Sequence, residues 1–244
     1  MKASNKVLLV ALILLLTSLT LYDFELKAEY EKGEFKKEFY LYDKLNHKDF
    51  DEIEVNAGNL LDLKIVRADK FDIRLRKYYN KPFKISQKKN KLVIDVTDSL
   101  NSPWMSGEKA MVIFCPKLTR LTIRGQVMTF RDRNRTITEM IRNNNAFTEL
   151  IGFTDDSLNL KLGSKCYLSF TGNNVKNLNA IIGDDTGGGA EFTINGSNVI
   201  GNASFQIKGK NELRLDNPKI EHLNYTYSKD ATITLSGAAH SFLK

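Results

Sequence analysis

Apolar residues recur along most of this chain at alternate positions, and from Asp49 onward that period of two dominates. Ile53 and Val55 alternate with Glu52, Glu54 and Asn56, and Leu63 and Ile65 with Asp62 and Lys64. Phe71, Ile73 and Leu75 alternate with Asp72, Arg74 and Arg76. Phe83 and Ile85 flank Lys84, and Leu92, Ile94 and Val96 share one face of a further segment. Successive side chains of a strand point to opposite faces, so this pattern predicts a series of half-buried strands.

The second half carries a longer period as well. Leu158, Leu160 and Leu162 form a triplet that returns twenty residues later as Leu178, Ala180 and Ile182. It returns again as Ala203, Phe205 and Ile207, and then as Leu223, Tyr225 and Tyr227. Between these lie Leu168 with Phe170, Phe192 with Ile194, Leu213 with Leu215, and Ile233 with Leu235. Two short strands per turn of about twenty residues, with polar corners, describe a β-solenoid, in which each coil buries its apolar residues only by stacking on the next. An antiparallel sandwich explains the alternation but not the spacing. The pattern predicts that Leu160, Leu162, Leu168, Phe170, Ile182, Ile194, Phe205, Ile207 and Leu215 lie in one stacked core.

Two segments break the rhythm. Val7 to Tyr22 is sixteen residues without a charge, preceded by Lys2 and Lys6 and followed by Asp23. It is apolar on every face, which suits a bilayer better than a globular core. No A-x-A site follows it closely, so residues 1–22 read as a signal anchor or signal peptide, with the uncleaved anchor favoured. Residues 23–48 read as a juxtamembrane spacer with aromatic residues, and 49–244 as the β domain. Near 128–153 an insertion interrupts the repeat, and the spacing of Ile137, Met140 and Ile141 after Thr136 predicts a short helix.

The chain resembles the auto-transporter adhesin head domain of Bacteroidetes-type envelope proteins, also called the GIN domain. The resemblance rests on Phe50-Asp-Glu-Ile-Glu-Val-Asn-Ala-Gly58, on Lys91-Leu-Val-Ile-Asp-Val96 and on the run from Val112 to Gly125, with the repeating strands after it. It covers about residues 49–244 and implies a single-stranded right-handed β-helix at the cell envelope. It supplies no functional residues.

Composition adds limits. At 42% hydrophobic and 27% charged residues the chain is globular rather than disordered. Two cysteines, Cys115 and Cys166, make neither a disulfide framework nor a four-cysteine zinc site, and both read as buried free thiols. No cofactor or metal is expected. The net charge of +7 is concentrated between Arg67 and Lys91, where ten basic residues face two acidic ones. Lys70, Arg74, Arg76, Lys84 and Lys88 are therefore candidates for a face that attracts anionic glycan or lipid headgroups, although lysines also guard exposed sheet edges. Nucleic acid is not an expected partner of an exported protein.

Catalysis on polysaccharides would need clustered carboxylates. Asp155-Asp156 and Asp184-Asp185 are adjacent pairs, but both sit in turn contexts and neither carries a catalytic signature. The sequence thus points to a non-catalytic, membrane-anchored envelope protein, outside the cytoplasm, serving adhesion, glycan contact or scaffolding. A polysaccharide-active β-helix enzyme and a self-assembling cytoskeletal solenoid on the cytoplasmic face are the alternatives.

Overall fold

The computed structural model describes residues 3–77, 83–96, 109–132, 135–139, 146–184 and 187–242. It forms two units, 1–42 and 43–244. The first is dominated by α1 (Ala3–Lys32), ten residues longer at its C-terminal end than the apolar run that predicts it. Asp23 to Lys32 was assigned to the spacer but continues the helix. Lys27 with Glu31, and Glu29 with Lys32, are spaced to pair along a helix surface, and both pairs form. Gly33 then ends the helix, in the left-handed conformation that glycine adopts without strain.

The second unit starts with β1 (Tyr42–Leu45), β2 (Glu52–Val55), β3 (Leu63–Arg67), β4 (Asp72–Arg76) and β5 (Phe83–Lys88). β6 (Lys91–Val96), β7 (Met111–Cys115) and β8 (Arg120–Ile123) follow. An isolated hairpin of β9 (Met128–Asp132) and β10 (Arg135–Glu139) precedes β11 (Thr148–Ile151). Then come β12 (Ser157–Leu162), β13 (Tyr167–Thr171), β14 (Asn174–Ile182), β15 (Gly188–Asn195), β16 (Val199–Ile207), β17 (Lys210–Asp216), β18 (Lys219–Tyr227) and β19 (Thr232–Ser236), followed by a short 3-10 helix over Gly237–Phe242 whose Ala239 is fully buried.

Apart from the hairpin, these strands form two mixed sheets and no closed barrel. One runs β1-β4-β7-β3-β11-β13-β15-β17-β19 and the other β18-β16-β14-β12-β8-β2-β6-β5. From β11 onward the chain alternates between the sheets, and each strand pairs in parallel with the next but one. The apolar repeat is the register of that pairing: Leu158 lies beside Leu178, Leu178 beside Ala203 and Ala203 beside Leu223. In the other sheet Leu168, Phe192, Leu213 and Ile233 line up in the same way. All nine residues expected in the stacked core are at most 4% exposed and belong to one apolar cluster.

The N-terminal half does not follow sequence order. β2 and β3 precede β6 and β7 in the chain but lie inside the stack, with β6 and β7 on one side and β8 and β11 on the other. Outside β6 and β7, the antiparallel strands β5 and β4 close that end. The chain therefore lays down its second level first, turns outward, and returns across it.

The helix expected around Ile137 is instead strand β10, paired with β9 from Arg135 opposite Asp132 to Glu139 opposite Met128. Thr136, Ile137 and Thr138 are β-branched and stiff at χ1, which favours a strand over a helix. Met140 and Ile141 lie outside the described residues. β11 belongs to the larger sheet, so the interruption is narrower than 128–153.

Buried asparagines hold the corners. Asn173 is 1% exposed; its Oδ1 accepts from the Phe153 amide at 2.8 Å and its Nδ2 donates to the Leu150 carbonyl at 3.0 Å. Asn198, fully buried one level on, donates to the Phe170 carbonyl at 2.6 Å and accepts from the Asn173 amide at 3.0 Å. Each side chain thus serves backbone groups that a bending strand leaves without ladder partners, which would otherwise be costly to bury.

Phe205, whose ring meets that of Phe192 at a centroid distance of 6.1 Å, fills the stack. Phe205→Ala should lower unfolding stability by about 3–5 kcal/mol in urea titration. Thr148 is the contrary case: it occupies a core column between Leu63 and Leu168, and its buried Oγ1 has no hydrogen-bond partner. Thr148→Val should raise stability by about 1 kcal/mol in the same measurement, because it removes an unpaired buried hydroxyl.

Candidate functional site: the outward faces of the two sheets

Alternation turns every second strand residue outward, and these rows are the surfaces the body offers. The basic candidates do not share one of them. Arg74 and Arg76 lie on β4 in one sheet, while Lys84 and Lys88 lie on β5 in the other. Ile73, Leu75 and Phe83, which separate them in sequence, are buried in the common core. Arg74 is already engaged: its Nε and Nη2 both lie 2.9 Å from Asp72 Oδ2. Lys84 and Lys88 are exposed on an edge strand, and Lys70 is exposed in the turn before β4. The residues that sequence grouped by number are thus divided by the fold into two pairs and a single lysine.

Near Lys88 the outward face of the β2 sheet is laced with ion pairs. Glu54 accepts from Lys91 Nζ at 3.1 Å and also from Arg124, and Glu52 meets Arg120 at 3.3 Å. Further along, the same face becomes amide-rich, with Lys161 exposed two residues beyond Asn159 on β12. Asn179 donates to Asn159 Oδ1 at 3.3 Å, and Asn202 donates to Asn177 Oδ1 at 3.0 Å. Ser204 and Asn224 continue the Asn159–Asn179 row. A carboxamide offers two donors and an acceptor oxygen with two lone pairs, so a laddered asparagine keeps hydrogen-bonding capacity toward solvent. Levels about 4.8 Å apart repeat that capacity as a flat array. Attention to apolar positions alone misses these rows, yet the signal is present: Asn159 to Asn179 is twenty residues and Asn177 to Asn202 is twenty-five, the steps of the core triplets.

Asp155, Asp156 and Asp184 lie in connections between strands. Asp156 is exposed and pairs with Lys176 at 2.6 Å, which lowers its carboxyl through the hydrogen bond and charge of that lysine. Burial pushes its neighbour Asp155 up, with partial relief from the Leu118 amide at 3.4 Å. Asp184 accepts from Ser164 Oγ at 2.9 Å and from the Gly187 amide at 2.6 Å, the bonds of a turn former. Asp185 lies outside the described residues. The Asp155 side chain borders a shallow recess of about 290 Å³ with Lys117 and Thr154. A second recess, of about 370 Å³, lies on the other sheet between Glu191, Lys210, Glu212 and Asp230. Cys115 and Cys166 are buried free thiols, and burial pushes Cys115 up to about 12, with Asp155 adding to the effect. Such a thiol is inert at neutral pH.

No family model and no curated protein matches the chain. Among solved structures it is similar to a "putative adhesin" of Bacteroides fragilis at 14% identity and TM-score 0.40, over 80% of this chain and 96% of that one. It is also similar to a "putative lipid binding protein" of Parabacteroides distasonis at 13% identity and TM-score 0.39, over 81% and 94%. A "putative adhesin" of Parabacteroides merdae matches at 12% identity and TM-score 0.33, over 80% and 95%. At these values the likeness assigns neither a family nor an activity.

The ion-paired region makes a prediction about pH. Burial alone pushes the Glu54 carboxyl up, but the hydrogen bonds and charges of Arg124 and Lys91 outweigh it and hold it below its ordinary value. A carboxyl held low in the folded state contributes stability that is present above its unfolded value and lost as pH falls through the folded one. Urea midpoints should therefore fall less steeply for Glu54→Gln than for the parent as pH drops from about 5 to 3. The variant should also be the less stable of the two at pH 7.

Proposed function

We propose that this chain is a non-catalytic, membrane-anchored envelope protein with its β body outside the cytoplasm. In this reading the body is a right-handed, single-stranded β-helix of the GIN kind, and its outward faces serve adhesion, glycan contact or scaffolding. The observation that carries it is α1. Its apolar run is long enough to cross a bilayer, and every one of its described residues is exposed. Val7, Leu8, Leu14 and Leu21 are each 60% exposed or more, an arrangement that water penalises and hydrocarbon does not.

The Asn159, Asn177, Asn179 and Asn202 amides suit hydroxyl-rich polymers, which can be bound by repeated hydrogen bonds. Lys84 and Lys88 suit anionic glycan or lipid headgroups at the edge of the same sheet, whereas Arg74 and Arg76 form a separate pair on the other sheet.

In membrane fractions, the mature chain should retain Val7 to Tyr22 by N-terminal mass determination. A reporter fused after Lys244 should report the non-cytoplasmic side. A mature chain beginning after the apolar run would replace the anchor with a cleaved signal, and a cytoplasmic reporter would favour the cytoskeletal alternative. On immobilised anionic glycan, retention should weaken as salt rises, since charges more than about 8 Å apart are screened at physiological ionic strength. Lys84→Gln with Lys88→Gln should reduce that retention more than Arg74→Gln with Arg76→Gln, because Arg74 is neutralised within the fold by Asp72. Equal retention of both double variants and the parent would leave the lysines as guards of the sheet edge.

A further inference from the structure

α1 continues past its apolar run, and the continuation is not polar all round. Tyr22, Leu26 and Tyr30 follow one another at four-residue steps and share a face of the helix. Phe24 is apolar as well, and Phe24, Leu26 and Tyr30 are each more than half exposed. Gly33 then turns the chain back, so that the Phe35 ring stacks on that of Tyr30 with centroids 5.2 Å apart. Such a contact finishes a helix end, yet it leaves Tyr30 63% and Phe35 48% exposed.

The lysines around this turn are of two kinds. Lys27 pairs with Glu31, Lys32 with Glu29 and Lys37 with Glu34. Lys36 has no acidic partner among the described residues. Its Nζ lies 5.6 Å from the Tyr30 ring centroid and 5.7 Å from that of Phe35, so its charge is held over two rings and is not neutralised.

Length decides what covers this surface. The run from Val7 to Tyr22 spans about 24 Å at 1.5 Å per residue, against a hydrocarbon core of about 30 Å. The next turn of helix, to Leu26, makes up the difference. Phe24 and Leu26 gain by entering that boundary, where the charges of Asp23 and Glu25 cost far less than they would at the bilayer centre. Tyr30 then lies about 6 Å beyond the hydrocarbon edge, within a headgroup layer of roughly 5–8 Å. Side chains on a helix lean toward its N-terminal end, here toward the bilayer, which brings the Tyr30 ring and the Phe35 ring stacked on it back to the acyl boundary.

We propose that the turn after α1 is a lipid-headgroup site, in which Tyr30 and Phe35 lie at the acyl boundary and Lys36 carries its charge to a lipid phosphate. Aromatic rings favour that layer, and a lysine lying along them keeps its ammonium among the polar headgroups. The inference rests on α1 spanning the bilayer, and it adds where the helix stops, with the ring pair setting its depth.

The test uses the full chain in phosphatidylcholine vesicles whose acyl chains are brominated either next to the headgroup or near the methyl end. Fluorescence is read against the parent, whose single tryptophan is Trp104. Leu14 and Tyr30 are both exposed on α1, so a tryptophan at either leaves the fold intact, and at Tyr30 it keeps the contact with Lys36. Leu14→Trp should be quenched by the deep bromines. Tyr30→Trp should be quenched by the shallow ones. Adding Lys36→Gln to Tyr30→Trp should reduce the shallow quenching, whereas adding Lys37→Gln should not, because Glu34 already pairs with Lys37. Quenching of Leu14→Trp without quenching of Tyr30→Trp overturns the headgroup site and leaves the anchor standing. Quenching of neither overturns both. Equal effects of Lys36→Gln and Lys37→Gln overturn the assignment of Lys36 to a phosphate.

Discussion

Parallel pairing of each strand with the matching strand one level away is the constraint on which the body depends. It places an inward residue beside the inward residue of the next level, so interior core side chains stack in columns. Leu162, Ile182 and Ile207 form such a column, and Phe170, Ile194 and Leu215 form another. Volume must then be balanced along columns rather than within a single layer. Ala180 between Leu160 and Phe205 shows such a balance, with the small side chain leaving room for its larger neighbours. The corners obey the same rule in polar form. Asn173 and Asn198 repeat one another because the backbone groups they satisfy repeat as well.

This constraint explains what could be read from sequence. Where strands follow one another into successive levels, from β11 onward, the pairing partner lies a fixed distance ahead and the period appears directly in the apolar positions. Leu158, Leu178, Ala203 and Leu223 name their own neighbours. Before β11 the period disappears, because the neighbours of Ile53 are Leu92 and Leu121, thirty-nine and sixty-eight residues away. The strands there are legible from alternation, but their order is not, since nothing local distinguishes a level laid inside from one laid outside.

The contact surfaces were less legible, for two physical reasons. Grouping Lys70, Arg74, Arg76, Lys84 and Lys88 by sequence assumes that neighbouring strands share a sheet. Here β4 and β5 belong to different sheets, and charge clustered in sequence becomes charge divided in space. The asparagine rows went unread for the opposite reason, since their regularity is carried by residues that propensity assigns to turns. Asn159 and Asn179 occupy outward strand positions, where Asn179 donates to Asn159 and Asn159 donates in turn to the Thr119 carbonyl one level back. The helix around Ile137 failed for a simpler cause: three β-branched residues in a row outweighed a spacing of three and four.

The interior position of β2 and β3 has a consequence for how the chain can be assembled as it is made. Synthesis delivers these strands before any of their neighbours, and neither can acquire a parallel neighbour until Lys91 to Cys115 has been added. The second neighbours, β8 and β11, arrive only with residues 120–151. Ile53 waits thirty-nine residues for Leu92 and sixty-eight for Leu121, and β3 is enclosed on both sides only when β11 arrives. Long-range parallel pairing of this kind folds slowly, because closure entropy is met before contacts reward it. The later strands have no such delay, since each finds its neighbour waiting. The body is therefore built by a slow insertion at its N-terminal third followed by rapid accretion, and a nascent chain is most vulnerable to aggregation and proteolysis before its first strands are covered.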